Sequence, residues 1–176
     1  MLRKTQFHCL LASTRGFTLI ELVIGMMVIG IAIVMLTSML FPQADRAAAT
    51  LHRVRSAELA HSVMNEIWGK RYDQNTNSNG GVPACNAPTG IVCSAALGKD
   101  GESRDDFNDV DDYDGLDETQ NMLNSSQTYA QAYPRYQLNV SVEYLDPATQ
   151  AKKLITVDVT TPAGEVITYQ AVRSNY

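Results

Sequence analysis

Apolar side chains follow three different patterns along the chain. In the first, residues 17–41 are almost continuously apolar, and residues 22–36 contain no polar side chain. A helix over residues 17–41 would be about 37 Å long, which is enough to cross the hydrocarbon core of a bilayer. A core helix of a soluble domain normally keeps a polar stripe. We therefore interpret residues 17–41 as a membrane-spanning helix.

The second pattern is that of an amphipathic helix. Between residues 44 and 67, apolar side chains recur at intervals of three and four, with charged side chains on other faces. Gly69 stands where a helix C-terminal cap is expected, and Pro42 is expected to kink or interrupt the helix. The pattern predicts a long helix over residues 17–68 whose second half packs on a domain. Its apolar positions are Ala44, Ala47, Ala48, Leu51, Val54, Ala57, Ala60, Val63, Met64 and Ile67.

The third pattern is a strict alternation of apolar and polar side chains after residue 133, which is typical of strands with one buried face. Turns at residues 146–149 and 161–164 separate three such stretches, so we predict an antiparallel β-meander over residues 133–176. Its apolar face can cover the amphipathic helix, which makes the predicted fold class α+β. The alternating apolar positions are Tyr136, Leu138, Val140, Val142 and Tyr144, then Ile155, Val157 and Val159, then Ile167, Tyr169 and Ala171.

Composition narrows the possible functions. The 176 residues are 45% hydrophobic and 19% charged, which excludes a disordered chain. The formal net charge of −5 argues against nucleic-acid binding, which depends on clustered Lys and Arg. No nucleophile–base arrangement, P-loop or dinucleotide-binding glycine motif occurs, so we expect no enzymatic activity. His52 and His61 do not have the spacing of a helical metal pair, and we predict that both are surface residues.

Glu21 is anomalous within the apolar segment. A carboxylate in hydrocarbon is costly, so it should pair, take up a proton or serve a function. The residues that precede the segment are few and basic. Charge counting does not fix the orientation in the membrane, because Lys and Arg are equally frequent on both sides of the segment.

The sequence GFTLIE at residues 16–21, after a short basic leader and before an apolar helix, resembles the type IV prepilin signature. The resemblance implies that a prepilin peptidase cuts the chain after Gly16 and N-methylates Phe17. It also implies that Glu21 pairs with the N-terminal amine of a neighbouring subunit during filament assembly, which would supply the partner that a buried carboxylate needs. The implied architecture is the type IV pilin fold, a long N-terminal helix packed on a small antiparallel sheet.

Two further stretches, AALGKDGE at residues 95–102 and DFNDVDDY at residues 106–113, resemble the MshD-type minor pilins of the mannose-sensitive haemagglutinin (MSHA) pilus. The resemblance implies a minor pilin that takes part in pilus biogenesis and surface attachment. The implied partners are the prepilin peptidase, the major and other minor pilins, the inner-membrane platform of the pilus, and membrane lipid before assembly. The alternatives are a minor pseudopilin of a type II secretion system and a calcium-dependent adhesive or docking module at a pilus tip.

Two cysteines lie in or beside a loop rich in Asn, Gly, Pro, Ser and Thr. Cys9 falls in the expected leader, so Cys85 and Cys93 remain as an even pair, and a turn at residues 88–90 can bring their sulfurs together. In an oxidising compartment this arrangement predicts a disulfide. A zinc site would need more ligands at short spacings. The disulfide also indicates the orientation: an inner-membrane protein of one span with a periplasmic C-terminal domain, which later joins an extracellular pilus.

Residues 100–118 hold ten of the chain's 19 carboxylates, with Arg104 as the only basic residue of the stretch. Calcium prefers such oxygen ligands, although the stretch does not fit an EF-hand loop. The alternatives are a solvated acidic loop and a negative surface that faces a neighbouring subunit. Apolar side chains are interleaved from Phe107 to Leu116, so we expect part of the loop to pack. No cofactor other than calcium is expected, and its candidate ligands are Asp109, Asp111, Asp112 and Asp114.

These patterns divide the chain into five predicted parts. They are a cleaved leader at residues 1–16, a membrane or filament-core helix at 17–41, the amphipathic half of the long helix at 42–69, a loop region with the cysteine pair and the acidic stretch at 70–132, and the β-meander at 133–176.

Overall fold

The computed structural model describes residues 16–77 and 81–175, apart from the side chains of residues 42 and 44. The chain forms two compact units, of which the first ends at Arg46 and the second begins at Ala47. Helix α1, Leu19–Trp68, contributes its first part to one unit and its second part to the other. The predicted leader, residues 1–16, lies outside the described residues except for Gly16.

Helix α1 is 50 residues long, and its backbone is helical through Pro42. Of the kink or interruption expected at Pro42, the interruption does not occur. A proline inside a helix removes the amide that would bond to the carbonyl four residues earlier and crowds that carbonyl. The helix around it is long, so the remaining bonds on both sides keep the backbone helical.

Three strands form an antiparallel meander in the second unit, as the alternation predicts. They are β1, Gln137–Tyr144, β2, Lys152–Thr160, and β3, Val166–Ser174, in the spatial order β1-β2-β3. Strand β2 pairs with both neighbours. The predicted α+β fold class, with a long apolar N-terminal helix and a small antiparallel sheet, is confirmed.

The core of the second unit lies between α1 and one face of the sheet. Side chains at helical spacing on α1 meet the alternating side chains of β1 and β2, and all of them are buried. Burial of such side chains is the main favourable term in folding, at about 1.5–3 kcal/mol for each large aliphatic side chain. The residues concerned are Leu59, Ala60, Val63 and Ile67 on α1, Leu138, Val140 and Val142 on β1, and Ile155, Val157 and Val159 on β2.

The buried face of α1 is narrower than the predicted apolar stripe, and it is partly polar. Leu51 and Val54 are 65% and 62% exposed, because they lie about 140° and 160° around the helix from the buried Ser56. His61 is exposed, as predicted. The prediction that His52 is a surface residue is wrong: it lies on the buried face, half-buried, with Nδ1 3.0 Å from the Tyr136 hydroxyl.

The loop region that follows α1 contains short regular elements that the sequence patterns do not indicate. Two 3-10 turns occur at Arg104–Asp106 and Asp111–Tyr113, and a one-turn helix α2 at Tyr129–Ala132. A capping box formed by Thr128 and Gln131 begins α2. The expectation that part of the acidic stretch packs is confirmed, because its interleaved apolar side chains join the core: Phe107, Val110, Tyr113 and Leu116.

Candidate assembly segment and buried acidic cluster

Helix α1 begins two residues after Phe17, with Thr18 as its N-cap. The Thr18 hydroxyl oxygen accepts a hydrogen bond from the Glu21 backbone N–H at 3.3 Å, and the Thr18 carbonyl accepts one from Leu22 at 3.2 Å. Glu21 is therefore the third residue of the helix, where an acidic side chain completes a capping box and favours the positive helix end. Stabilisation of the helix start is therefore one structural role for Glu21, and it follows from local helix geometry alone.

The first part of α1 exposes apolar side chains on all of its sides. Phe17 is 84% exposed, and no residue is buried in an 18-residue window with a mean hydropathy of 2.8. Among the described residues, α1 is the one helix long and apolar enough to cross a membrane. An apolar surface of this size requires lipid or other apolar helices around it.

Near the C-terminal end of α1, Glu66 accepts hydrogen bonds from side chains of the acidic stretch and of α2. Its carboxylate lies 2.7 Å from the Arg104 guanidinium and accepts hydrogen bonds from the hydroxyls of Tyr113 at 2.6 Å and Tyr129 at 3.3 Å. The side chains of Glu66 and Arg104 are only 8% and 11% exposed. Arg104 also donates to the carbonyl of Asn121 at 2.9 Å. This Glu66–Arg104 network joins the helix, the acidic stretch and α2.

The acidic stretch runs beside the residues that follow α1 and along the outer edge of β1. Arg71 forms a parallel bridge with Asp109: the Arg71 N–H donates to the Asn108 carbonyl at 3.2 Å, and the Val110 N–H donates to the Arg71 carbonyl at 3.0 Å. Along β1, the Leu138 N–H donates to Glu118 at 3.0 Å and the Val142 N–H to Asp114 at 3.0 Å. Carboxylates therefore satisfy edge amides that would otherwise be open to pairing with another chain.

A second cluster lies around Lys153, the first core-facing residue of β2. Lys153 is fully buried, and its Nζ lies 2.5 Å from Asp111 Oδ1, 2.7 Å from the Tyr72 carbonyl and 3.6 Å from Asp73 Oδ2. The rings of Tyr72 and Tyr144 lie 4.6 and 5.3 Å from the ammonium. A buried cation of this kind requires such close negative and aromatic partners. We call Lys153, Asp111, Asp109 and Asp73 the Lys153 cluster.

Burial shifts the ionisation of groups in both clusters. Burial and the negative charges of Asp111 and Asp112 raise the pKa of Asp109 to about 8. Burial and the hydrogen bond to Glu66 raise the pKa of the Tyr113 phenol, which keeps it a donor. The raised pKa values favour the neutral form of the Asp109 carboxyl in the Lys153 cluster, and they keep the Tyr113 hydroxyl a hydrogen-bond donor in the Glu66–Arg104 network.

The four predicted calcium ligands have protein donors in the structure. Asp112 accepts from the backbone of Asn108 at 2.7 Å and of Asp109 at 3.0 Å, and Asp111 accepts from Lys153. Because Asp109, Asp111 and Asp112 are buried, the alternative of a wholly solvated acidic loop is wrong. Calcium binding at Asp109, Asp111, Asp112 and Asp114 stays a prediction. A rise in melting temperature with added calcium, abolished by Asp114→Asn, would support it, and an unchanged melting temperature would contradict it.

The predicted disulfide is present between Cys85 and Cys93, which are both buried against Tyr72. Its loop turns tightly at Gly90, where a Cβ would collide with the carbonyl oxygen of Ala84. Asp73 lies beside the two sulfurs, within 4.8 Å, and accepts from the Ser94 backbone and hydroxyl at 3.1 Å. The disulfide loop and the Lys153 cluster therefore share Asp73.

Replacing both Cys85 and Cys93 by serine should lower the free energy of unfolding of the second unit by about 2–3 kcal/mol, because the unfolded loop is no longer closed. Urea denaturation of the full chain in detergent measures the change. The wild-type chain under reducing conditions is the matched control and should show the same loss. A variant as stable as the oxidised wild type would contradict this expectation.

Sequence reasoning missed Glu66 and Lys153. Lys153 is in phase with Ile155, Val157 and Val159, so the alternation of β2 itself places it on the core face. Glu66 precedes a core residue, Ile67, and carries no local signal of its burial. Its partners come from a loop at least 38 positions further along the chain.

Comparison with known proteins adds one finding. Residues 11–37 match the family profile described as the prokaryotic N-terminal methylation motif. This match supports a type IV pilin-like protein, a class of structural subunits of pili or pseudopili that are not enzymes. The motif implies processing by prepilin peptidase and assembly with other pilins, and it fits a membrane-anchored chain. The chain matches no curated protein and no solved structure.

Proposed function

We propose that the chain is a minor pilin of an MSHA-like type IV pilus. It is inserted in the bacterial inner membrane, cut between Gly16 and Phe17, methylated at Phe17, and then incorporated into the pilus. The methylation motif at residues 11–37 supports this reading. The resemblance of residues 95–102 and 106–113 to MshD-type minor pilins supports the narrower assignment.

The observation that carries the proposal is the exposed apolar surface of residues 17–41, which include the first part of α1, with the carboxylate of Glu21 in the first turn of that helix. Lipid covers this surface before assembly. In the pilus, apolar helices of other subunits cover it, and the N-terminal amine of a neighbour neutralises Glu21. Desolvation makes an unpaired carboxylate costly in either setting, so the pair selects one register between subunits.

The proposed partners follow from these steps. They are prepilin peptidase, the major and other minor pilins, the inner-membrane platform of the pilus, and lipid. The disulfide between Cys85 and Cys93 supports a periplasmic position for the second unit, since such bonds persist in oxidising compartments.

Replacing Gly16 by leucine should block cleavage, because the leucine side chain would obstruct the peptide bond that the peptidase must cut. Gly25→Leu is a matched control, since a Cβ at either glycine meets no atom within 4 Å in the structure. Intact-mass measurement of the chain from cells with the peptidase separates the two variants. We expect Gly16→Leu to keep residues 1–16 and Gly25→Leu to lose them. Normal cleavage of Gly16→Leu would contradict the assigned site.

Deletion of the gene separates a pilus subunit from a pseudopilin. We expect fewer surface pili and weaker surface attachment, with normal secretion of exoproteins. Loss of secretion with normal pili would contradict the pilus assignment and would favour a minor pseudopilin of a type II secretion system.

A further inference from the structure

Lys153 is held where a lysine has little access to water. Its side chain has no exposed area, and its Nζ faces the Asp111 carboxylate at 2.5 Å between two tyrosine rings. A buried ion pair often stabilises the folded state no more than apolar residues of similar volume would. The arrangement therefore needs an explanation beyond stability.

Asp111 and Asp109 complete the arrangement. Both carboxyl groups are buried, and the Oδ2 atom of each accepts no hydrogen bond within the described part of the chain. Asp109 interacts electrostatically with both Asp111 and Lys153. The buried amine of Lys153 thus contacts the carboxyl group of Asp111, and a second buried carboxyl group, that of Asp109, interacts electrostatically with both.

We propose that Lys153 and Asp111 become joined by an isopeptide bond between Nζ and Cγ. A proton passes from the ammonium to the carboxylate, which gives a neutral amine and a carboxylic acid. The nitrogen lone pair then attacks Cγ, a C–O bond breaks, and the oxygen leaves as water. The ion pair and the products, an amide and one water molecule, contain the same atoms and charge, so no oxidant or other reactant is needed.

Geometry favours the reaction at this site. The fixed contact between Lys153 Nζ and the Asp111 carboxyl replaces a bimolecular encounter, and well-oriented groups reach effective concentrations of about 10⁵ M or more. Asp109, which is buried and has one carboxyl oxygen without a hydrogen bond among the described residues, is the proposed general acid for the departing oxygen.

The bond would tie strand β2 to the acidic stretch across a separation of 42 residues. The disulfide closes a short loop, with a separation of 8 residues. A subunit that carries tension in a filament would gain a covalent connection that unfolding cannot break. The inference does not depend on the proposed pilus type, because the groups involved all belong to the second unit.

Peptide mapping of the full chain, purified from cells and reduced, tests the bond. Trypsin cuts after Arg104, Arg135, Lys152 and Arg173, so a linked product joins residues 105–135 to residues 153–173. We expect this product at a mass lower by one water molecule than the sum of the two peptides. Free residues 105–135 together with cleavage after Lys153 would overturn the proposal.

Two variants assign the roles. Lys153→Arg keeps the positive charge but offers no primary amine, so the linked product should disappear; its persistence in this variant would overturn the assignment to Lys153. Asp109→Asn should slow formation of the linked product by about 10²-fold or more, the usual scale of a general acid, and so lower the linked fraction measured at an early fixed time. An unchanged linked fraction would overturn the role of Asp109.

Discussion

Glu66→Ala should destabilise the second unit by about 3–5 kcal/mol, because it leaves the buried Arg104 guanidinium and two tyrosine hydroxyls without their acceptor. Glu66 is one carboxylate with three partners, and they belong to the acidic stretch and α2. Removal of one member of a buried pair costs more than the pair itself contributes. Thermal unfolding in detergent should show a melting temperature lower by about 10 °C or more.

Glu58→Ala is the matched control, because Glu58 lies on the same helix and is exposed. Its effect should stay within about 0.5 kcal/mol. Glu66→Gln separates charge from shape, since the amide oxygen can still accept from Tyr113 while the ion pair with Arg104 is lost. An equal and small effect of Glu66→Ala and Glu58→Ala would show that the network does not hold the loop.

Glu21→Gln should be cleaved and inserted normally but should be nearly absent from filaments. The Thr18 hydroxyl still accepts from the backbone N–H of residue 21, and glutamine is as suited as glutamate to a capping box, so the helix start is retained. Only the negative charge is lost, and with it the proposed pairing to a neighbour's amine. The ratio of the chain in sheared filaments to the chain in membranes, measured by immunoblotting, should fall at least about tenfold, which corresponds to about 1.4 kcal/mol.

Thr18→Ala provides the complementary control. It removes the N-cap hydroxyl, at a cost of about 1 kcal/mol of helix stability, and keeps the charge of Glu21. We expect this variant to enter filaments. If Glu21→Gln assembled normally and Thr18→Ala did not, the function of Glu21 would be helix capping and not pairing between subunits.

Local sequence patterns predicted those elements of the fold whose buried face follows from the periodicity of their own residues. The alternation in residues 136–171 gave the meander, and the continuous apolar stretch gave the first part of α1. The predicted disulfide also occurs, because the loop composition and the even cysteine count depend on nearby residues only. The motif at residues 16–21 is equally local, and the methylation-motif match covers it.

The acidic stretch shows why the rest could not be predicted. Counted along the sequence, its carboxylates have one basic neighbour, Arg104, which suggested solvent or a metal ion. In the structure Lys153 of β2 and the N–H groups of β1 supply the positive partners. These contacts cross 20 to 42 positions of the chain. No local charge count contains them, and the same holds for the burial of His52 against Tyr136.

The position of Phe17 just ahead of the capped helix start gives the proposed cleavage an electrostatic consequence. In the uncut chain the peptide nitrogen of Phe17 is uncharged; cleavage after Gly16 would place a cation at the positive end of the α1 dipole, where like charge is unfavourable. Methylation would leave that charge in place. A carboxylate would offset it, so every processed subunit would present both an unpaired N-terminal cation and a Glu21 anion able to pair with the N-terminus of another subunit.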